Sequence, residues 1–179
     1  MTQVGSVYGE ALYELASAED LTKQILEEMR ALCAGFREEP SFIRLLRSPN
    51  LAKQERIEII DRCFASKVHV YLLNFLKILT EKGYIHHFDD CTAAFEQLFN
   101  RDHNILPVTA VTAVQMNPEQ ISALTAKLSG ITGKSVVLRN RIDSSCIGGV
   151  RLDYDGLSLD DTVSARMASI RETLKNTVL

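Results

Sequence analysis

Apolar residues recur along this chain with two different periods, and the change falls near residue 105. Before it, the spacing is helical. Over residues 3–18, Val4, Val7, Tyr8, Ala11, Leu12 and Leu15 share one face. Over 20–37, Leu21, Ile25, Leu26, Met29, Leu32, Cys33 and Phe36 fall in phase, and Glu39-Pro40 ends the run because proline cannot continue a helical ladder. A short helical turn follows through Phe42, Leu45 and Leu46, then a break at Ser48-Pro49-Asn50. Further helices are predicted over 52–64 (Ile57, Ile60, Phe64), over 68–81, and over 85–103 through Phe88, Cys91, Phe95, Leu98 and Phe99. Lys82-Gly83 closes the fifth in the manner of a C-cap. Six helical segments with short links predict an N-terminal six-helix bundle over residues 1–105.

From about 105 the texture turns to β-branched residues. Leu106 to Val114 reads as a strand. Asn117-Pro118-Glu119-Gln120 is a helix start, with an Asn cap, Pro in the first turn and Gln reaching back, and this helix is expected to stop before Gly130. Ser135–Ile142 is a second strand. Val150, Leu152 and Tyr154 alternate, Asp155-Gly156 supplies a tight turn, and Leu157 and Leu159 alternate after it, so a β-hairpin follows. Asp160-Asp161 opens a last helix to about Asn176. The order β-α-β-β-β-α over 106–179 predicts a small α+β domain. The fold class is therefore mainly α, with a small α+β domain appended.

Two features of the helical half are informative. In Tyr71 to Leu79 only Asn74 and Lys77 are polar, so at about 100° per residue the apolar arc spans roughly 220°. That exceeds the ~100° stripe of a helix packed on one side only. Such a helix has neighbours all around, or a core on one side and a partner on the other. In the first helix, Gly5, Gly9 and Ala16 form a small-residue flank, which suits close approach of another backbone, either a partner's or that of a neighbouring core helix.

Composition excludes more than it specifies. The 179 residues are 46% hydrophobic and 24% charged, with net charge −3, so no global pull toward nucleic acid or acidic lipid exists. Residues 1–104 carry 12 basic and 16 acidic groups, against 8 and 7 in 105–179, a difference that favours two units with different partners. Cys33, Cys63, Cys91 and Cys146 lack metal-ligand spacing; the first three, in helical surroundings, read as buried reduced thiols, and a reducing compartment is expected. No leader pattern and no segment of ~20 apolar residues is present, so membrane association is expected only through partners. His86-His87 with Asp89, Asp90 and Cys91 is the most site-like cluster, yet no complete ligand set emerges from it. Gly130, Gly133 and Lys134-Ser135 do not have phosphate-loop spacing, and neither does Gly148-Gly149. Ser144-Ser145 is near no predicted base. Arg139, Arg141 and Arg151 read as a charged sheet face rather than a nucleic-acid reader. No catalytic, metal or cofactor site is expected.

The chain resembles the delta subunit of bacterial F-type ATP synthase, relative of the mitochondrial oligomycin-sensitivity-conferring protein. Tyr8-Gly9-Glu10-Ala11-Leu12 is similar to the family's opening Tyr-Ala-x-Ala-Leu, and Ser48-Pro49 with Lys53 and Ile59-Ile60 to its passage from the third to the fourth helix. Asn74-Phe75-Leu76 through Leu79, Lys82 and Gly83 matches its Asn-Phe-Leu-x-x-Leu-x-x-Lys-Gly signature. Ile142 to Gly149 resembles its Asp-x-Ser-x-Ile-Gly-Gly motif. Two positions depart: Tyr84 stands where the family usually has Arg, and Asp160-Asp161-Thr162 where it has Asp-Gly-Ser.

The resemblance implies a non-catalytic stator subunit that links the catalytic head to the peripheral stalk and resists rotor torque, so that proton translocation couples to ATP synthesis. It implies that the N-terminal helix of an alpha subunit lies between the first and fifth helices. On that reading Gly5, Tyr8, Gly9, Ala11, Leu12, Tyr71, Leu72, Phe75, Leu76 and Leu79 are the groove candidates. It further implies that residues 106–179 contact the b subunits, with Asp143, Ser145, Ile147, Gly148 and Gly149 as a structural motif. No nucleic acid and no direct membrane insertion are implied. The chain is expected as a monomer within a hetero-oligomeric complex on the cytoplasmic face of the membrane. The competing readings are a generic helical adaptor and an RNA-binding antitermination-type protein, which the acidic N-terminal half disfavours.

Overall fold

A computed structural model describes residues 2–48, 51–167 and 169. The chain is mostly helical with one small four-stranded sheet, and it divides into two compact units, Met1–Phe99 and Asn100–Leu179.

The first unit holds α1 (Gln3–Ala18), α2 (Thr22–Glu38), α3 (Pro40–Leu46), α4 (Lys53–Phe64), α5 (Val70–Glu81) and most of α6 (Phe88–Asp102). Local chemistry sets the ends. The Thr2 hydroxyl accepts the Gly5 N–H at 3.3 Å and caps α1. Glu55 returns to accept the Ala52 N–H at 2.8 Å at the start of α4. Before α5, His69 Nδ1 accepts from the Tyr71 N–H (3.3 Å), while the His69 N–H donates to Glu28 of α2 (2.7 Å). At its end the Tyr84 N–H reaches the Leu79 carbonyl (2.7 Å) and the Gly83 N–H that of Thr80 (3.1 Å), with Gly83 at φ +77, a Schellman closure. The single helix predicted over 85–103 opens instead with a 3-10 turn, Ile85–His87. After the Schellman turn, the His87 N–H bonds the Tyr84 carbonyl three residues back (2.9 Å), which tightens the first turn. Leu12, Ile25, Met29, Leu72, Leu79 and Phe95 are among the side chains of the core. Phe36 stacks on Phe42 and meets Phe64 and Phe88 edge-on. Pro49 and Asn50 of the predicted break lie outside the described residues.

In the second unit, β1 (Ile105–Thr112), α7 (Pro118–Thr132), β2 (Ser135–Ile142), β3 (Val150–Tyr154) and β4 (Leu157–Asp160) build a sheet of order β2-β1-β3-β4. β1 pairs parallel with β2 across the α7 crossover and antiparallel with β3. Leu106, Val108 and Val136 form its core, with Leu128 of α7, Leu138, Leu152 and Tyr154 packed on it. The reciprocal cap at α7 is present: Gln120 N–H to Asn117 Oδ1 (2.7 Å) and Asn117 N–H to Gln120 Oε1 (3.0 Å). This helix runs through Gly130 and ends at Gly133, whose φ of +66 makes the left-handed stop. Glycine inside a helix costs only about 1 kcal/mol and does not by itself end it. β1 stops at Thr112, two residues before its predicted end, because the Thr112 hydroxyl donates to the Val114 carbonyl (2.7 Å) and turns the chain out of the sheet. Asp155 (φ +45) and Gly156 (φ +76) form the hairpin turn. Residues 163–167 and 169 are helical, and the rest of the predicted last helix lies outside the described residues.

Candidate partner-binding surfaces

The fifth helix divides its wide apolar arc. Leu72, Leu73, Phe75, Leu76, Leu79 and Thr80 are buried in the core of the first unit, while Val70 and Ile78 are exposed and Tyr71 is half-buried. The outward strip is Val70, Tyr71, Asn74 and Ile78. Lys77, at one margin of this strip, bonds Asp61 of α4 at 2.6 Å. At about 100° per residue, Tyr71 and Ile78 fall on the opposite margin, away from α4.

The first helix does the reverse. Its buried face is Gly5, Gly9, Leu12, Tyr13 and Ala16, most of it small. Val4, Val7, Tyr8, Ala11 and Leu15 form an outward stripe at helical spacing, with Val7 59% and Leu15 44% exposed. Tyr8 lies at the edge nearest α5, and its ring meets that of Tyr84, just past the α5 cap, edge-on with centroids 6.0 Å apart. The outward apolar margins of α1 and α5 thus border one another.

Gly5 and Gly9 face elsewhere. A Cβ on Gly9 would lie 2.5 Å from the Cys91 carbonyl oxygen and 2.9 Å from the Ala94 Cβ, and one on Gly5 would collide with Asp90. The small-residue flank exists because the α6 backbone approaches it within the same unit. Of the ten groove candidates, Tyr8, Ala11 and Tyr71 are at least partly accessible, whereas Gly5, Gly9, Leu12, Leu72, Phe75, Leu76 and Leu79 are buried. Val4, Val7, Leu15, Ile78 and Tyr84 complete the surface. Their signal was an i, i+4 series of apolar residues next to a second series that could fill the core on its own.

At the N-terminal end of α1, the Thr2 hydroxyl donates to Asp90 Oδ2 (2.7 Å) and lies 3.3 Å from His87 Nδ1. The Thr2 hydrogen bond holds the Asp90 carboxyl below its usual range. The rings of His86 and His87, both on the 3-10 turn, have centroids 3.8 Å apart. Burial and the neighbouring His87 lower the pKa of His86. Among the described residues no three His, Cys, Asp or Glu side chains group to hold a metal ion.

In the second unit the Asp143–Gly149 motif builds a loop at the rim of an apolar groove of about 510 Å³. Asp143 Oδ1 accepts both the Ser145 N–H (3.0 Å) and its hydroxyl (2.6 Å), bonds that hold the Asp143 pKa down. Cys146 is buried. Ile147 follows at φ +62, ψ −43 and is 65% exposed. The Gly148 N–H closes back on the Cys146 carbonyl at 2.7 Å, a strained γ-turn centred on a β-branched residue. Gly149, at φ +82, leaves room for the Asp161 carbonyl, which a Cβ would approach to 2.6 Å. The loop thereby holds the Ile147 side chain outward beside Val114, Met116 and Leu124, which also line the groove. On the charged sheet face, Asp153 lies between Arg151 (3.2 Å), Arg141 (3.6 Å) and the Ser158 hydroxyl (2.7 Å).

A helical unit followed by a small α+β unit, each presenting an apolar surface at side chains the core does not use, is the make-up of a two-part connector. The ATP synthase delta (OSCP) subunit family matches residues 4–174. ATP synthase subunit delta of Alkaliphilus oremlandii (strain OhILAs) is 33% identical over 171 residues, covering 96% of this chain and 95% of that protein. The same subunit of Clostridioides difficile (strain 630) is 28% identical over 176 residues, covering 98% and 97%. A chain in the cryo-EM structure of the Toxoplasma gondii mitochondrial ATP synthase hexamer shares the fold, with a TM-score of 0.78 at 15% identity over 97% of this chain and 98% of that one. The chain belongs to the ATP synthase delta (OSCP) subunit family, and with it to a hetero-oligomeric, membrane-associated complex. No helix among the described residues is long and apolar enough to cross a membrane.

Proposed function

We propose that the chain is a non-catalytic stator subunit of F-type ATP synthase, on the cytoplasmic face of the membrane, linking catalytic head to peripheral stalk. By resisting rotor torque it keeps proton translocation coupled to ATP synthesis. In this reading residues 1–105 work as one six-helix bundle that takes the N-terminal helix of an alpha subunit. Residues 106–179 take the end of the b subunits. The observation that carries it is the bordering pair of outward apolar stripes on α1 and α5. A helix laid along them contributes apolar anchors at i, i+3 and i+4 spacing to a surface already shaped by the fold. The walls are Tyr8, Ala11 and Leu15 on one side and Tyr71, Asn74 and Ile78 on the other. In the second unit the groove rimmed by Ile147 is the place for the end of the b subunits.

The test is titration of a peptide of the cognate alpha N-terminus into the full chain by calorimetry. Binding is expected, together with its loss in Leu15→Asp and Ile78→Asp at unchanged thermal stability, since both side chains are exposed in the free chain. A peptide that does not bind, or that binds both variants as tightly as the parent, overturns the assignment.

A further inference from the structure

The start of α5 is capped by a titratable side chain. His69 Nδ1 accepts the Tyr71 N–H at 3.3 Å, and the His69 carbonyl accepts the Leu73 N–H at 3.0 Å, which opens the helical ladder. The cap residue is held from α2. There Glu28 Oε2 accepts the His69 N–H (2.7 Å), and Glu28 Oε1 accepts from the Gln24 side-chain amide (2.9 Å). The His69 ring also meets the Tyr71 ring edge-on, with centroids 4.9 Å apart. One imidazole therefore touches both the amide and the ring of Tyr71, a partly accessible residue of the α5 margin.

A ring nitrogen that accepts a hydrogen bond carries no proton. Histidine is the side chain that gains one between pH 8 and pH 5. The imidazolium has two donors and no acceptor, so it cannot cap the Tyr71 N–H, and its charge stands at the positive end of the α5 dipole. Of the charged groups around it, the Glu28 carboxylate of α2 bonds the His69 backbone, and Lys67 lies two residues earlier in the α4–α5 link. Among the described residues no ion pair compensates a charge on this ring.

We infer that His69 is a positioning residue for the docking surface: its neutral ring holds Tyr71 on the α5 margin, and its protonation loosens that wall and weakens partner binding. This rests on the groove reading given under Proposed function and adds a regulation of the same site. A side-chain cap of this kind favours closure of the first helical turn by about fivefold.

The experiment compares the full chain with His69→Asn and His69→Ala at pH 8 and pH 5. Urea melts without partner and calorimetric titration of the cognate alpha N-terminal peptide are run on all three. Asparagine caps well and does not titrate, and alanine does neither. Proton uptake elsewhere, on chain or peptide, is common to the three proteins and cancels between them. From pH 8 to pH 5 the folding constant of the parent should fall about fivefold more than that of His69→Asn, and its peptide affinity about two- to fivefold more. His69→Ala should be weaker than His69→Asn by the same factors at both pH values. If the peptide binds and the parent follows His69→Asn at both pH values, the positioning role is wrong and the groove stands. If the melts separate but the affinities do not, His69 is a structural cap only and the inference is overturned. If the peptide binds none of the three, the groove reading fails and takes the positioning role with it.

Discussion

The tight backbone approach of α1 to α6 is also easy to break with a single methyl group. At an unencumbered helix position Gly→Ala stabilises by about 1 kcal/mol. Gly35 in α2 is such a position: it is exposed, and a Cβ there meets no atom within 4 Å. Gly35→Ala is therefore expected to gain about 0.5–1 kcal/mol. Gly9→Ala makes the same chemical change with the opposite sign. The new Cβ would stand 2.5 Å from the Cys91 carbonyl oxygen and 2.9 Å from the Ala94 Cβ. Neither partner is a flexible side-chain end. Moreover α6 is held in place by the Tyr13–Phe95 edge contact (5.1 Å between centroids) and by Arg30–Glu96 at 2.6 Å. Relief requires α1 to move outward, at an overpacking cost of about 1–3 kcal/mol, and backbone as the obstacle puts this near the upper end. After the helix-propensity gain, a net loss of about 1–2 kcal/mol remains, or roughly 5–15 °C for a unit of this size. Urea denaturation followed by far-UV circular dichroism, which the helical unit dominates, measures both variants against the parent. A Gly9→Ala protein within about 0.5 kcal/mol of the parent, or stabilised like Gly35→Ala, would refute the close approach of α1 and α6.

Three further outcomes are expected. The Thr80 hydroxyl is buried without a hydrogen-bond partner among the described residues, so Thr80→Val should stabilise by about 1 kcal/mol in the same melts, and a comparable loss would expose a hydroxyl contact that matters. Burial pushes the Cys33 and Cys91 thiols from 9.0 up to about 12. Because the folded pKa values are raised, their contribution is complete below pH 9 and declines from there toward pH 12, as the unfolded chain ionises first. Stability measured against pH should flatten over this window in Cys33→Ala and Cys91→Ala. Native alkylation read by mass spectrometry should label the half-buried Cys63 well before either, and equal labelling rates would contradict the burial. Replacing Ile147 by Gly removes a positive-φ strain of about 1–3 kcal/mol and adds about 0.5–1 kcal/mol of glycine entropy cost, so the second unit should be unchanged or slightly more stable. Binding of a peptide from the end of the b subunits should meanwhile weaken about tenfold, and a stability loss above about 1 kcal/mol would show Ile147 to be structural instead.

Much of the architecture is legible in the sequence where a local signal has one physical meaning. Asn117-Pro118-Glu119-Gln120 satisfies two orphan amides reciprocally, Lys82-Gly83 closes a Schellman turn, and Asp155-Gly156 turns a hairpin; each appears as its residues dictate. Elements shift where two signals compete. The stop expected before Gly130 falls instead at Gly133, which takes positive φ. The strand after Ile105 carries β-branched residues to Val114, but the Thr112 hydroxyl ends it early. The proposed docking surface was half legible. Periodicity shows that α5 has more apolar surface than a one-sided core uses, but not which side chains are the surplus. That depends on where α2, α4 and α6 lie, which no local pattern encodes. Ile147 is unreadable as a strained residue for the same reason: its φ is set by Gly149 closing against the Asp161 carbonyl and by Asp143 holding Ser145.

The two glycines of α1 and its outward stripe are parts of one arrangement. A helix that buries Gly5, Gly9 and Ala16 gains little apolar burial from those positions, so Leu12 and Tyr13 carry most of its attachment to the core. The Thr2 hydrogen bond to Asp90 fixes its N-terminal end. Close backbone approach on one side is what leaves Val4, Val7, Ala11 and Leu15 displayed on the other, rather than folded under a neighbour. On the proposed docking, a partner helix seated there would supply the apolar burial that α1 lacks, and so stabilise the bundle by mass action in proportion to its occupancy. Larger residues at positions 5 and 9 would push α1 off α6, and with it the outward stripe proposed to take the partner.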